Sequence, residues 1–324
     1  MLDQRKDLEW TRDEDFWYED GSIIVVAQTV GFRIYRGLLA KHCGIFRELS
    51  TVPPSQWQPP AGQLVCGCPV VQLTDTPVAL RELLSALMYA KRYVPENDLE
   101  LDALSYRIRL AHKYGAEDLL KESTQQLQAL YPTSFMEWEK IRRPHSSRAI
   151  TAVNLAHLTS TPSILPTALY ACCQLPDDTL LEGAVHSDGT ADTLSRSDLV
   201  KCMKAKVMYA RSEMDMIHEK FRRSCLSAGD ACDKAFNLIR EAAIRRLFTG
   251  NVEPGILEPW REFLNARGNI SGTRHSTAAV PCRRCLENVI NAVSDVDVEW
   301  WCELPWVMGI EVGYWQIQPE HWDP

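Results

Sequence analysis

The sequence predicts an α+β N-terminal unit, a small sheet covered by helices, followed by a mainly α-helical C-terminal region. Three observations predict it. A β-branched run, "SIIVVAQ" at residues 22–28, is followed almost at once by "FRIYR", the pattern of two strands in a hairpin. Directly after Gly37 the apolar spacing changes to that of helical turns. Beyond Pro132 strand signals nearly vanish.

The hairpin turns around Gly31, and its second strand takes in Phe32, Ile34 and Tyr35. Leu38, Leu39, Ile45, Phe46 and Leu49 read as the buried positions of two brief helices. Gly44 divides them, since glycine is a weak point inside a helix. "TVPPSQWQPPAGQ" carries Pro53, Pro54, Pro59 and Pro60, which exclude regular structure. It is a loop before it is a proline-motif ligand for another domain. "PVVQL" at 69–73 is a third strand, and "TDTP" starts a helix with Thr76 as cap and Pro77 in the first helical position. Leu80, Leu83, Leu84 and Leu87 mark one buried helical face. The next helix carries Leu101, Leu104, Ile108 and Ala111 and closes at Gly115 in a left-handed cap. A third, with Leu119, Leu120, Leu127 and Leu130, runs to Pro132. Strands so few and short must be covered by these helices.

In the C-terminal region, residues 150–175 read as two helices joined by a Thr/Ser/Pro turn. "HSDGTADTLSRSD" is a polar loop ending in Asp198 as the cap of a long helix. Along that helix Leu199, Met203, Val207, Ala210, Met214, Ile217 and Phe221 form one apolar seam over about three heptads. The seam suits a helix packed inside its own domain; a partner-binding coiled coil is the alternative, for which three heptads are marginal.

With 324 residues, 45% of them hydrophobic, the chain has material for roughly two domains. No apolar run reaches the ~18–20 residues of a membrane span, and the N-terminus has no apolar signal core. The expected location is intracellular, cytoplasmic or nuclear. Eleven cysteines are then reduced thiols or metal ligands rather than disulfides, and the sequon-like Asn269-Ile270-Ser271 carries no glycan. A net charge of −8 offers no general attraction to nucleic acid. The basic pairs Arg142/Arg143, Arg222/Arg223, Arg245/Arg246 and Arg283/Arg284 are scattered among acids and read as solvated helix faces.

Four ordered pieces, "GSIIVVAQ", "FRIYRGLLAKHCGIFRELS", "CPVVQLTDTPVALRELLSALMY" and "RLAHKYGAEDLLKE", resemble the BTB/POZ domain, a protein-interaction module. The resemblance covers about residues 15–131, leaving 1–14 as an N-terminal tail. "YPTSFMEWE", "SILPTALYACCQLP" and "WCELPWVMGI" extend it, more weakly, toward the BTB proteins of mushroom-forming fungi. It implies a fold, protein partners and homodimerisation through the BTB domain. Tyr35 stands where the family commonly has His, and Cys43 where it has Ser. Both replacements suit a buried place. Docking on cullin-type ubiquitin ligase scaffolds, which some members perform, relies partly on the surface after the second short helix; here that surface is the proline loop starting at Val52.

Catalytic motifs fail individually. "HEKFR" puts Arg222 where a zinc protease needs its second histidine after His218. "VHSDG" has Val185 where a nucleophile elbow around Ser187 wants glycine. No glycine-rich phosphate loop with a following lysine is present. The expected protein is not an enzyme.

One constellation stands apart: Cys225 and Cys232, separated by "LSAGDA", and Cys282 and Cys285 in "PCRRC". Four thiolates can close a tetrahedral site around one structural zinc ion. Ordinary thiols are the default reading of the same residues, because the first pair is wider than a usual knuckle and 49 residues separate the pairs. A redox role for Cys282 and Cys285 ranks lower, lacking a βαβ setting. Cys66, Cys68, Cys172 and Cys173 read as bystanders. Trp300, Trp301, Trp306, Trp315 and Trp322 crowd the last 25 residues and suggest a terminal strap over the helices of the mainly helical region 132–324, or, more sharply, an aromatic peptide groove. The functional expectation is an interaction module or adaptor; the alternative is a zinc-binding regulatory or scaffold protein, including a nuclear one.

Overall fold

The computed structural model describes residues 9–51, 64–89, 98–141, 146–225, 230–249, 257, 260–268 and 280–315. The proline loop after Val52, the sequon, Arg142/Arg143 and Trp322 lie outside the described residues. The chain divides into two compact units: Met1–Ala129 with Val185–Ala191, and Leu130–Ala184 with Asp192–Pro324.

The first unit is a four-stranded sheet, β1 (Thr11–Trp17), β2 (Ile23–Ala27), β3 (Val30–Ile34) and β4 (Val70–Leu73), in the order β1-β3-β2-β4. β2 and β3 form the expected antiparallel hairpin, with Ile23 opposite Ile34 and Ala27 opposite Val30. The turn is therefore Gln28-Thr29, with Gln28 at φ 50, the left-handed geometry of tight hairpins. Gly31 lies within β3 instead. A Cβ there would come 2.3 Å from the Trp10 ring, so this glycine is where Trp10 approaches the sheet. β4 and β1 pair parallel to β2 and β3 respectively. Because β2 is central and covered on both faces, its residues are apolar without alternation. Val25 and Ala27 face one cluster, Ile24 and Val26 another with Trp10, Trp17 and Cys68.

Helices α1 (Arg36–His42) and α2 (Gly44–Thr51) follow β3, with Tyr35 as cap of α1 rather than as strand. Leu39 and Phe46 enter the core with Leu80, Leu83 and Leu84 of α3 (Pro77–Tyr89) and Tyr106, Leu110 and Tyr114 of α4 (Asp98–Tyr114). Ile45, expected inside, is 50% exposed. Phe46 and Leu49 claim the inner side of this short helix, and Ile45 is turned ~100° from Phe46. Gly115, at φ 66, ends α4 as anticipated and its carbonyl accepts the Gly44 N–H at 3.1 Å. α5 (Glu117–Leu130) completes the cover.

The segment Val185–Ala191, of which 186–191 were expected as part of a polar loop, belongs to this unit. His186 Nδ1 lies 2.8 Å from Asp102 Oδ1, both side chains almost fully buried. The Ser187 N–H donates to Asp102 Oδ2 at 3.0 Å, and Thr76 donates to Asp188 at 2.7 Å. A loop of polar residues is thus held by buried, mutually satisfied polar groups.

The second unit is mainly helical: α6 (Phe135–Ile141), α7 (Arg148–Leu158), a short 3-10 turn (Pro162–Ile164), α8 (Leu165–Cys173), α9 (Asp177–Glu182), α10 (Arg196–Lys220), α11 (Ala231–Thr249), α12 (Trp260–Gly268) and α13 (Arg283–Val307). Two expectations are corrected here. The cap of α10 is Ser195, whose Oγ accepts the Asp198 N–H at 3.1 Å and donates to Asp198 Oδ2 at 2.7 Å. Asp198 is the reciprocal partner three residues on. The apolar seam is also turned. Cys202, Ala205, Tyr209, Glu213, Met216 and Ile217 are buried, whereas Met203 and Val207 are more than half exposed. Tyr209 sets this rotation, packing edge-on against Tyr170 and Trp300 at 5.5 and 5.7 Å. Small residues at 202 and 205 leave room for α8 beside it.

Trp300, Trp301 and Trp306 lie within α13, not in a strap after it. Trp301 is enclosed by Phe135, Trp138 and a stacked Trp315, while Trp306 is 76% exposed. No helix among the described residues is long and apolar enough to cross a membrane.

Leu84→Ala empties a fully buried position and is expected to remove about 2–5 kcal/mol of amide-exchange protection from β2 and β3; unchanged protection would contradict this core. Burial pushes the Asp198 carboxyl up, but hydrogen bonds from Ser195 and Lys201 and the charges of His157 and Lys201 bring it below its ordinary value. A depressed carboxyl stabilises fully above the unfolded value of about 4 and loses this as pH falls through the folded one. Asp198→Asn is therefore expected to flatten the acid limb of the stability-pH curve, measured by urea titration; an identical limb would refute the assignment.

Candidate metal centre

Cys225, Cys232, Cys282 and Cys285 come together in the second unit, with all four sulfurs within 4.8 Å of one another. Each is placed by a helix end. α10 ends at Phe221, which is fully buried beside Trp260 at 5.7 Å, so the chain turns sharply through Arg222–Ser224 to Cys225. Cys232 is the second residue of α11. Cys282 is the N-cap of α13, and Cys285 sits in its first turn. The core of Phe236, Trp260, Leu264, Val289 and Val293 underlies the cluster.

The sulfurs act as hydrogen-bond acceptors. The N–H groups of Ser224 and Cys225 donate to Cys285 Sγ at 3.3 and 3.2 Å, and the Ser224 hydroxyl approaches it at 3.7 Å. The Cys282 N–H donates to Cys232 Sγ at 3.3 Å. Asn288 Nδ2 donates to Ser224 Oγ at 2.7 Å, holding that loop to α13. Burial raises the Cys285 thiol, but the Ser224 donors and the Cys225 and Cys282 thiols outweigh it, bringing it down to about 6. For Cys232 the Cys282 N–H lowers the value, while burial and the neighbouring Cys225 and Cys282 push it up to about 12. One thiolate forms easily and the next resists, since like charges this close oppose each other.

A cation removes that opposition. Around one tetrahedral ion with sulfur ligands at ~2.3 Å, the sulfurs stand about 3.8 Å apart, within the observed spread. Two helix N-termini, those of α11 and α13, face the cluster with their positive dipole ends. Exposed Arg222, Arg223, Arg283 and Arg284 flank it, with Arg223 paired to Asp233 at 3.1 Å and Arg283 to Glu287 at 2.7 Å. The four cysteines could hold a metal ion, and among the described residues theirs is the group of this kind.

The other cysteines differ. Cys68 is buried and donates to the Gly21 carbonyl at 2.9 Å; Cys66 is exposed. Cys172 and Cys173 share a fully buried place with Cys202, which sequence reading had not connected to them. Ser224 and Asn288 also went unread as supports. Adjacency to Cys225 and the i+3 position after Cys285 were the only signals for them. His218 is exposed on α10.

Cys285→Ser is expected to abolish the tetrahedral thiolate absorption of the cobalt-loaded chain, whereas Cys302→Ser leaves it intact. Ser224→Ala, which removes one donor but neither N–H, is expected to weaken metal binding about tenfold. An unchanged cobalt spectrum in Cys285→Ser would remove that residue from the site.

No family model, no curated protein and no solved structure matches this chain.

Proposed function

We propose that this is a non-enzymatic protein-interaction protein of BTB/POZ type, in which the N-terminal unit self-associates or docks a partner and the helical unit is held by one structural zinc ion. The observation that carries the interaction reading is the order of elements in the first unit. After β1, the β2–β3 hairpin runs directly into the α1–α2 pair, followed by β4, which pairs parallel to β2, and the helices α3 to α5, with Phe46 and Leu84 in one core. From β2 onward this is the order that the resemblance leads one to expect. The partners are proteins, in an intracellular setting, cytoplasmic or nuclear. A cullin-scaffold adaptor is a narrower form of the same reading, and the surface that would decide it lies outside the described residues.

A second reading, a zinc-binding regulatory or scaffold protein, is favoured by the four gathered sulfurs. Zinc suits them because thiolate ligands in a tetrahedral set are its preferred structural environment. Binding energy at such a site is also folding energy for the helices that supply it.

Sedimentation equilibrium of the full chain tests the first reading: a concentration-dependent dimer is expected, and a strict monomer at tens of micromolar would remove self-association. For the second, metal analysis of protein purified without chelator is expected to find zinc near one per chain; less than ~0.2 would end it.

A further inference from the structure

Resting on the zinc reading above, we propose that the four-cysteine centre is also a peroxide-responsive switch, with Cys282 as the site of oxidation and Cys285 as the resolving thiol. Four features of the structure point there. Cys282 is exposed at the protein surface, whereas Cys285 is fully buried beneath it. The two occupy the N-cap and first turn of one 25-residue helix, so their side chains rise from the same turn and the same positive dipole end. The Cys282 thiol makes no capping hydrogen bond to the α13 backbone; its side-chain partners are the Cys232 and Cys285 sulfurs. Their sulfurs already lie within 4.8 Å, a separation that side-chain rotation closes to the ~2.05 Å of a disulfide.

The chemistry balances with hydrogen peroxide as the two-electron oxidant. The Cys282 thiolate attacks one peroxide oxygen and the O–O bond breaks, leaving a sulfenic acid on Cys282 and a hydroxide that takes one proton to become water. The Cys285 thiolate then attacks the Cys282 sulfur. The S–O bond breaks, the second hydroxide takes a proton, and the disulfide has formed. The two sulfurs have lost two electrons and peroxide has gained them. The disulfide removes two of four metal ligands; Cys225 and Cys232 take up two further protons, and zinc passes to solvent as the dication.

Access decides the order of events. Cys232 is 7% exposed and Cys225 only partly exposed, so peroxide meets Cys282 first. The consequence reaches the fold, because Cys285 Sγ is the acceptor for the Ser224 and Cys225 N–H groups. Turning that sulfur toward Cys282 takes it from both donors and frees the segment that ends α10 from the start of α13.

The test uses the purified full chain, its zinc content measured first, then exposed to excess hydrogen peroxide with a chromophoric chelator reporting released metal. Release of one equivalent is expected, reversed by dithiothreitol and added zinc. Trypsin cuts after Arg283 and Arg284, so mass spectrometry should show the Cys282 and Cys285 peptides joined by a disulfide. Cys66→Ser, which removes an exposed thiol of the other unit, should release zinc at the wild-type rate. Retention of zinc after exposed Cys66 is fully oxidised would overturn the switch, as would release accompanied by a Cys225–Cys232 disulfide instead. A chain without zinc at the outset overturns the zinc reading, and the first measurement separates that failure from a failure of the switch.

Discussion

Four sulfurs within 4.8 Å pose an electrostatic problem that the surrounding structure is arranged to answer. Four negative thiolates at that spacing repel, while four neutral thiols would leave backbone N–H groups aimed at weak acceptors. The donors from Ser224, Cys225 and Cys282 and the starts of α11 and α13 all supply positive potential at one place. One dication added to this setting leaves a centre with two residual negative charges, which these groups then balance. The end of α10 and the start of α13, far apart in sequence, meet at this cluster.

The N-terminal unit depends on a different constraint, the burial of β2 on both faces. Its five residues are all buried. Helices cover one side, and Trp10, Trp17 and Cys68 close the other. Closing that second side requires glycine at position 31 to admit Trp10. The polar edges of the unit are handled by pairing rather than exclusion. Asp13 is buried yet accepts the N–H groups of Asp15 and Phe16 and the Arg81 guanidinium at 2.6 Å, and Asp102 serves His186 and Ser187 in the same way. Such charges are tolerated because each is matched, and each fixes one arrangement of the segments it joins.

Much of this was legible where period and punctuation agree. The hairpin, the helix pair split at Gly44, the Thr76-Pro77 start and the Gly115 stop follow from local chemistry that tertiary packing did not override. β1 was missed because "TRDEDFW" carries four charged residues, and its buried positions, Asp13 and Phe16, are three apart rather than alternating. The turn of α10 was misread because Met203 and Val207 are apolar by type but Tyr209, a larger ring with aromatic neighbours, decides the buried side. His186 was taken as loop because its partner Asp102 lies 84 residues away. The cysteine quartet was readable as a set, but only the fold brings the wide Cys225–Cys232 pair to the tight Cys282–Cys285 knuckle.

Zinc-edge X-ray absorption on the full chain as purified addresses the central claim most directly, because it counts the ligands around the metal and identifies their elements. The account predicts a single shell of four sulfurs at about 2.3 Å. A shell containing nitrogen or oxygen, or fewer than four sulfurs, would contradict it.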